Sequence, residues 1–221
     1  MTRLATAPGV SFGLIEGRAI FLDVRSDRYF ALPGDLAEPF ADVLSRGGSI
    51  DPDVPETRRL LATQLFILWE NGPALRPVDH RPPDRAPEES CRPSFRPGDF
   101  VEAWLLIARA ARAIRSTPLH AILATLKTTR VRAGEESDQP DLHLLARRFH
   151  KARSAVPAPP SCLQDSLALR QWLSRRGYGC TLVLAARLEP FAAHCWIESG
   201  GVVLNDAPER IASFVPVGVF P

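Results

Sequence analysis

Three residues far apart in the chain are of types that together could perform nucleophilic chemistry. Cys162 follows Ser161 at the predicted start of a helix, and His194 and Asp206 flank the Gly-Gly pair of "FAAHCWIESGGVVLND". Free N–H groups and the helix dipole favour a thiolate in the first turn, and the thiolate is the reactive form of cysteine. Such a nucleophile needs a base and a group that orients the base. The three residues therefore predict a Cys-His-Asp site.

The pairing of His194 with Asp206 depends on the turn between two predicted strands. A three-residue loop over 199–201 places the two residues directly opposite each other, about 5 Å apart at Cβ. A two-residue loop would pair Asp206 with Cys195 instead. The glycines allow both turns, and the pairing of His194 with Asp206 assumes the three-residue one.

The elements that must position this site show a change of hydrophobic period. Four helical segments come first, and the last, "CLQDSLALRQWLSRRG", has apolar residues at helical spacing and Gly177 at the expected C-cap. The strands "CTLVLAA", "AHCWIE" and "VVLND" follow. Helices followed by an antiparallel sheet are typical of the α+β class.

A proline-rich stretch precedes these elements and divides the chain. Seven of the 21 prolines lie in residues 71–98, among charged and small residues. Such a composition is typical of an extended, semi-rigid linker. We therefore predict a front unit at residues 1–72, a linker at 73–98 and a second unit at 99–221.

The front unit has the pattern of a small winged-helix-like domain. The segments "VSFGLIE", "RAIFLDV" and "RYFAL" predict an antiparallel meander. The segments "DLAEPFADVLSRGG" and "PETRRLLATQLFILWENG" predict one helix each.

Composition and charge bound the classes of function. The chain has 221 residues and a formal net charge of +2, so no global field attracts nucleic acid or an anionic membrane. No apolar run has the length of a membrane span and no signal peptide is evident, which predicts a cytoplasmic protein. The four cysteines (Cys91, Cys162, Cys180 and Cys195) are then expected to be free thiols.

The second unit resembles a known family over residues 155–206. The matching strings are "PPSCLQDSLALRQWLSRRG", "PFAAHCWIE" and "VLND", and they resemble the cysteine-peptidase region of lasso peptide maturation B proteins. These proteins are a branch of the transglutaminase-like, papain-related peptidases. The resemblance implies that Cys162 is the nucleophile, His194 its base and Asp206 the group that orients the base. It implies no bound cofactor, and the sequence leaves an ATP requirement open.

The front unit resembles the PqqD-like elements that bind the leaders of ribosomally made peptides. The resemblance lies in "IFLDVRSDRYFALPGDLAEPFADVLSRG". It implies that an extended leader adds a strand to the sheet edge and that side-chain pockets lie between that strand and the second helix. The expected contacts are Arg28, Tyr29, Phe30, Ala31, Leu61, Leu65 and Leu68.

Together the two resemblances imply a leader peptidase in lasso peptide maturation. It would bind the precursor peptide, cleave between leader and core through a thioester, and pass the core to an ATP-dependent, asparagine-synthetase-like cyclase. One alternative is a non-catalytic scaffold that presents the precursor to the cyclase. A second is transamidation of the thioester by an amine.

Three further interpretations have less support in the residues. A zinc site would use Cys162, Cys180, His194 and Cys195, but no C-x-x-C pair is present, and we predict no metal. A DNA-binding winged helix would need a basic surface that the front unit lacks. The basic residues around His143 and His150 predict a solvated helix face, with docking of the cyclase or a nucleotide as the alternative.

Overall fold

A computed structural model describes residues 2–87, 93–127 and 140–221. The strands are β1 Thr2–Thr6, β2 Val10–Ile15, β3 Arg18–Asp23, β4 Arg28–Ala31, β5 Phe66–Glu70, β6 Thr181–Arg187, β7 Ala192–Ser199, β8 Val202–Val203 and β9 Val215–Phe220. The helices are α1 Gly34–Ser45, α2 Pro55–Ala62, α3 Pro97–Ser116, α4 Leu119–Lys127, α5 Pro140–Arg153, α6 Cys162–Ser174 and α7 Pro208–Ile211. The predicted mixture of helices and antiparallel strands is confirmed.

The predicted meander of the front unit is present as the antiparallel sheet β2-β3-β4. Because side chains alternate along a strand, Phe12 and Phe21 face α1, where they pack against Phe40 at ring distances of 5.4 and 5.3 Å. Ile20 and Leu22 face the other way. Both faces of this sheet are therefore buried.

The second helix of the front unit is shorter than predicted. The prediction of one helix over 55–72 is wrong, because α2 ends at Ala62 and Gln64 has a φ of 61°, which a helix cannot continue through. The chain then forms β5, which pairs antiparallel with β1, a strand without a predicted counterpart. Aromatic and β-branched residues in "FILWE" favour a strand once the helix is broken.

The second unit contains a four-stranded sheet in the order β8-β7-β6-β9. Helix α6 packs on one face, against a core that includes Cys195 and Ile197. The other face carries Trp196 and is covered by Ile211 and Phe214, from α7 and the segment after it. Strand β9 lies in a segment for which no element was predicted.

The front unit and the second unit share a core. Ile15, Ile20 and Leu22 of the front unit belong to the same buried cluster as Trp172 and Leu184. The hydroxyl of Ser11 donates to the Val217 carbonyl across β2 and β9, at 2.5 Å.

The described part of the proline-rich segment runs between the units without regular structure. Leu75 is buried in the core of the front unit, and the Val78 N–H donates to the Phe12 carbonyl at 2.8 Å. Farther along, the Val203 N–H donates to the Arg85 carbonyl at 2.9 Å. The segment therefore contacts both units, and the predicted domain boundaries stay a prediction. Cys91 lies outside the described residues.

The predicted solvated basic face of α5 is wrong. Arg148 binds Asp99 of α3 through two hydrogen bonds of 2.9 and 2.6 Å, and Arg153 binds Asp165 of α6 at 2.7 Å. His150 is also enclosed, with Nε2 2.8 Å from the Leu204 carbonyl. Arg148 and Arg153 hold α5 to its neighbours, because Asp99 lies on α3 and Asp165 lies on α6. Among the helices described, none is long and apolar enough to cross a membrane.

Candidate active site

Cys162 is the first residue of α6, as predicted. Ser161 precedes it in an extended conformation with φ −144°, and its side chain makes no capping hydrogen bond. The carboxylate of Asp165, one position beyond that of a capping box, instead accepts a hydrogen bond from the Ser161 N–H at 3.3 Å. This arrangement leaves Cys162 exposed to solvent at the helix N-terminus.

Arg153 fixes the approach to this helix. Its guanidinium donates to Asp165 at 2.7 Å. It also donates to the carbonyls of Ala158 and Pro159, at 3.1 Å in both cases. Only 13% of the arginine side chain is exposed. The charge of Asp165 next to the reactive cysteine is therefore balanced, and the segment leading into α6 is tied down.

The turn between β7 and β8 differs from the predicted one. Gly200 and Gly201 form a two-residue turn with φ of 56° and 73°, the combination of a type I′ hairpin. Glu198 pairs with Val203, so the three-residue loop is wrong. Regular pairing in this register would place Asp206 opposite Cys195 rather than His194.

Asp206 nevertheless reaches His194, because β8 ends early. The side-chain oxygen of Asn205 accepts the hydrogen bond from the Ile197 N–H at 2.6 Å and so replaces a backbone partner. The Asn205 amide also donates to Ser166 at 2.8 Å. The chain leaves the sheet at this point, and Asp206 Oδ2 lies 2.5 Å from His194 Nε2.

The three predicted residues lie in one neighbourhood. Asp206 is hydrogen-bonded to the His194 ring, and Cys162 and His194 shift each other's pKa, which requires the sulfur to lie near the imidazole. Since Asp206 occupies Nε2, the ring nitrogen left for the sulfur is Nδ1. The side chains of His194 and Asp206 are only 10% and 11% exposed, so water screens the pair weakly.

The electrostatics of this array favour an ion pair between sulfur and imidazole. Hydrogen bonds from Cys195 and His194 lower the pKa of Cys162 to about 4, against the opposing effect of burial. The hydrogen bond to Cys162 and the contact with Asp206 raise the pKa of His194. A thiolate beside an imidazolium is the reactive state of a cysteine nucleophile.

Cys195 is a second thiol in contact with Cys162. Its side chain is the largest cause of the lowered pKa of Cys162, and its backbone also contributes. Burial and the neighbouring Cys162 raise the pKa of Cys195 well above its usual value, so Cys195 stays protonated and donates. Ser166 Oγ lies 3.8 Å from Cys195 Sγ, which links this thiol to Asn205.

The predicted leader contacts lie in three different environments. Arg28 and Ala31 are exposed on β4, the edge strand of its sheet, whereas Phe30 stacks on Phe21 in the front-unit core. Tyr29 points the opposite way and packs against the core shared with the second unit.

The three predicted leucines do not share a helix face. Leu61 lies on α2, Leu65 in the turn after it, and Leu68 on β5, where it is 45% exposed. The predicted groove between β4 and one long helix is therefore wrong in its helical wall. The contact set itself stays a prediction.

Sequence reasoning missed several residues that shape the site. They are Tyr29 as a neighbour of the cysteines, Arg153, Ser166, Cys195 and Asn205. Position next to His194 and Asp206 could have drawn attention to Cys195 and Asn205, but the other three are brought in only by the tertiary fold. Among the described residues, no group of three or more His, Cys, Asp or Glu side chains could hold a metal ion.

Comparisons with known proteins agree with the resemblance seen in the sequence. A family model described as the transglutaminase-like superfamily matches residues 104–219, about half of the chain. The microcin J25-processing protein McjB of Escherichia coli is 47% identical over 47 residues. That segment is 21% of this chain and 23% of McjB, so the match covers less than a quarter of either protein.

No solved structure matches the chain significantly. The McjB match supports the resemblance to the lasso peptide B proteins, whose peptidase region belongs to the same superfamily. The residues matched by the family model include the predicted nucleophile, base and orienting residue. The chain therefore belongs to the transglutaminase-like superfamily.

Proposed function

We propose that this protein is a cysteine leader peptidase in lasso peptide maturation. One observation carries the proposal: an exposed cysteine at a helix N-terminus lies near a histidine that lowers the pKa of its thiol and whose ring is hydrogen-bonded to an aspartate. The match to a protein named for microcin J25 processing supports the peptide class. The superfamily match supports cysteine-based chemistry.

The chemistry follows from the three side chains. The Cys162 thiolate attacks the carbonyl carbon of the leader–core bond, and first-turn N–H groups of α6 stabilise the oxyanion. The His194 imidazolium then gives its proton to the departing amine of the core. Water, deprotonated by His194, attacks the thioester and releases the leader as a carboxylate with the thiolate restored. Asp206 keeps the ring in place and stabilises its charge.

The front unit is proposed to hold the leader. Among the described residues, no strand pairs with the outer edge of β4, so its backbone groups can pair with an extended peptide. A mostly apolar cavity of about 440 Å³ lies beside it, lined by Leu14, Ala31, Phe40 and Leu44 among others. This cavity replaces the groove predicted against a long helix as a place for a leader side chain.

The proposed partners follow from this division of work. The precursor peptide supplies leader and core, and the released core passes to an ATP-dependent, asparagine-synthetase-like cyclase. The proposed steps on this chain need no cofactor, because nucleophile, acid and base are all side chains. An ATP requirement stays an open question. That the protein binds neither nucleic acid nor membrane, and that it is cytoplasmic, stay predictions.

The decisive experiment incubates the full chain with the precursor peptide encoded beside it and reads the products by mass spectrometry. We expect free leader and core with one added water, and the loss of both products in Cys162→Ala with precursor binding retained. Cys180→Ala is the matched control, because Cys180 is a buried cysteine immediately before β6. Its substitution should leave cleavage unchanged.

Other outcomes separate the alternatives. Undiminished cleavage by Cys162→Ala would remove the mechanism. Precursor binding by the wild-type chain without any cleavage would favour the scaffold alternative. A product that has lost water, rather than gained it, would indicate transamidation.

A further inference from the structure

The front unit contributes a side chain to the neighbourhood of Cys162. Tyr29 of β4 points away from the front-unit core and packs against the buried cluster that contains Cys195. Its ring meets the ring of Phe191 edge-on, with 6.2 Å between centroids. Phe191 lies immediately before β7, three residues ahead of His194. The contact therefore joins the proposed leader strand to the element that carries the base.

The aromatic pair (Tyr29 and Phe191) lies on the side of the second unit's sheet that carries Cys195, because Tyr29 packs against the buried cluster that contains Cys195. Burial is the largest cause of the raised pKa of Tyr29, and the nearby sulfur atoms of Cys195 and Cys162 add to it. This influence needs proximity, since charge interactions fade over about 10 Å. Phe191 is 56% exposed, so one aromatic surface of the pair faces solvent at the same location.

A peptide added to the edge of β4 would lie along the strand that carries Tyr29, and the contact of Tyr29 with Phe191 leads from there to β7, which carries His194. Single exposed aromatic residues are common on protein surfaces and need no explanation. Here, however, the exposed ring of Phe191 packs against Tyr29 of β4, the proposed leader strand, and lies immediately before β7, which carries His194. A rigid aromatic surface of this kind binds an apolar side chain at low cost in conformational entropy.

Building on the proposed function, we infer that Tyr29 and Phe191 form a specificity subsite for an apolar side chain on the leader side of the scissile bond. The front unit is then more than a tether that raises local concentration. It supplies part of the peptidase's substrate pocket, and its docking on the second unit is required for cleavage specificity.

The test measures leader release by the full chain with the wild-type precursor and with precursors carrying glycine at each of the last three leader positions. The variants are Phe191→Ala, Tyr29→Leu and Tyr29→Phe. Phe95→Ala is the matched control, because Phe95 is similarly exposed, at 50%, but lies ahead of α3. Alkylation of Cys162 by iodoacetamide reports the reactivity of the sulfur independently of the peptide.

We expect Phe191→Ala to lower kcat/KM about tenfold, mainly through KM, which corresponds to about 1.4 kcal/mol. Tyr29→Phe should retain most of the affinity that Tyr29→Leu loses. Alkylation of Cys162 should be unchanged. With one of the glycine precursors the loss in Phe191→Ala should disappear, because the contacting side chain is already absent.

The inference is overturned if Phe191→Ala equals Phe95→Ala, or if the loss is the same for every precursor. If the wild-type chain releases no leader, the proposed function fails by itself. Protection of Cys162 from iodoacetamide by the bound precursor then tests the subsite alone. Protection weakened in Phe191→Ala supports the subsite, and unchanged protection overturns it.

Discussion

At the scale of single residues, the site depends on a buried network of polar side chains next to the reactive sulfur. The Asn205 amide donates to the Ser166 hydroxyl, and the Cys195 thiol donates to the same oxygen at 3.8 Å. A thiolate at Cys162 can only accept hydrogen bonds, and Cys195 is the largest cause of its lowered pKa. A buried, satisfied network of this kind holds its members in one arrangement.

The pH dependence of Cys162 reactivity tests this network. The pKa of Cys162 is lowered to about 4, so its thiolate is present above about pH 4 and lost as the pH falls through that value. An ordinary cysteine would be protonated below about pH 8.5. The raised pKa of His194 keeps the imidazolium to higher pH than an ordinary histidine. The ion pair therefore exists over a wider pH range than an ordinary cysteine and histidine would give.

We predict that Cys195→Ala moves the acid midpoint of Cys162 alkylation upward. Loss of one hydrogen bond to a charged group costs about 1.5–3 kcal/mol, which corresponds to about one to two pH units. The measurement is the rate of iodoacetamide labelling of Cys162 between pH 3 and 9. In Cys180→Ala the midpoint should not move. A midpoint unchanged in Cys195→Ala would show that His194 alone sets the thiolate.

At the scale of elements, the sequence was sufficient where a pattern is local. The helix that begins at Cys162 and strands β6 and β7 could be predicted because apolar spacing and the Gly177 stop lie within each segment. The hairpin turn could not, since Gly-Gly fits two loop lengths. The contact of His194 with Asp206 was predicted for the wrong reason, because it arises from the early departure of the chain at Asn205.

The basic face of α5 illustrates the same limit. Arg153 looks like a surface cation in its own helix, and only the packing of α5 on α6 brings it to Asp165. A local sequence pattern predicts that a charged helix face is exposed. It cannot predict which oppositely charged side chain a neighbouring helix will bring into contact.

We predict that Arg153→Gln destabilises the full chain by about 3 kcal/mol or more. The change leaves the mostly buried Asp165 without its cation, and removal of one partner of a buried pair has costs of this size. Chemical denaturation of the full chain measures the loss. The matched control is Arg58→Gln, whose pair with Asp53 is exposed at 66% and 90% and should contribute little. Equal effects of the two variants would contradict the role of Arg153.

At the scale of the whole molecule, the relation between the units matters more than their separate folds. The sheet β2-β3-β4 is covered by α1 on one face and by the second unit on the other. Its edge strand therefore has a fixed position relative to Cys162. If a leader adds to β4, the scissile bond is delivered by this rigid contact rather than by diffusion on a tether.

Gly13 offers a direct test of that contact. It lies where β2 crosses β9, and a Cβ atom added there would be 2.5 Å from the Pro216 carbonyl oxygen, where only backbone can give way. We predict that Gly13→Ala lowers the stability of the full chain by about 1–3 kcal/mol, a fall in Tm of roughly 2–12 °C. Gly34→Ala is the control, because its added Cβ meets open space at the start of α1. Since the substitution would force the second unit away from the sheet that carries Tyr29, leader release should fall more than Cys162 alkylation does. Full stability and normal leader release in Gly13→Ala would show that the close crossing of the units is dispensable.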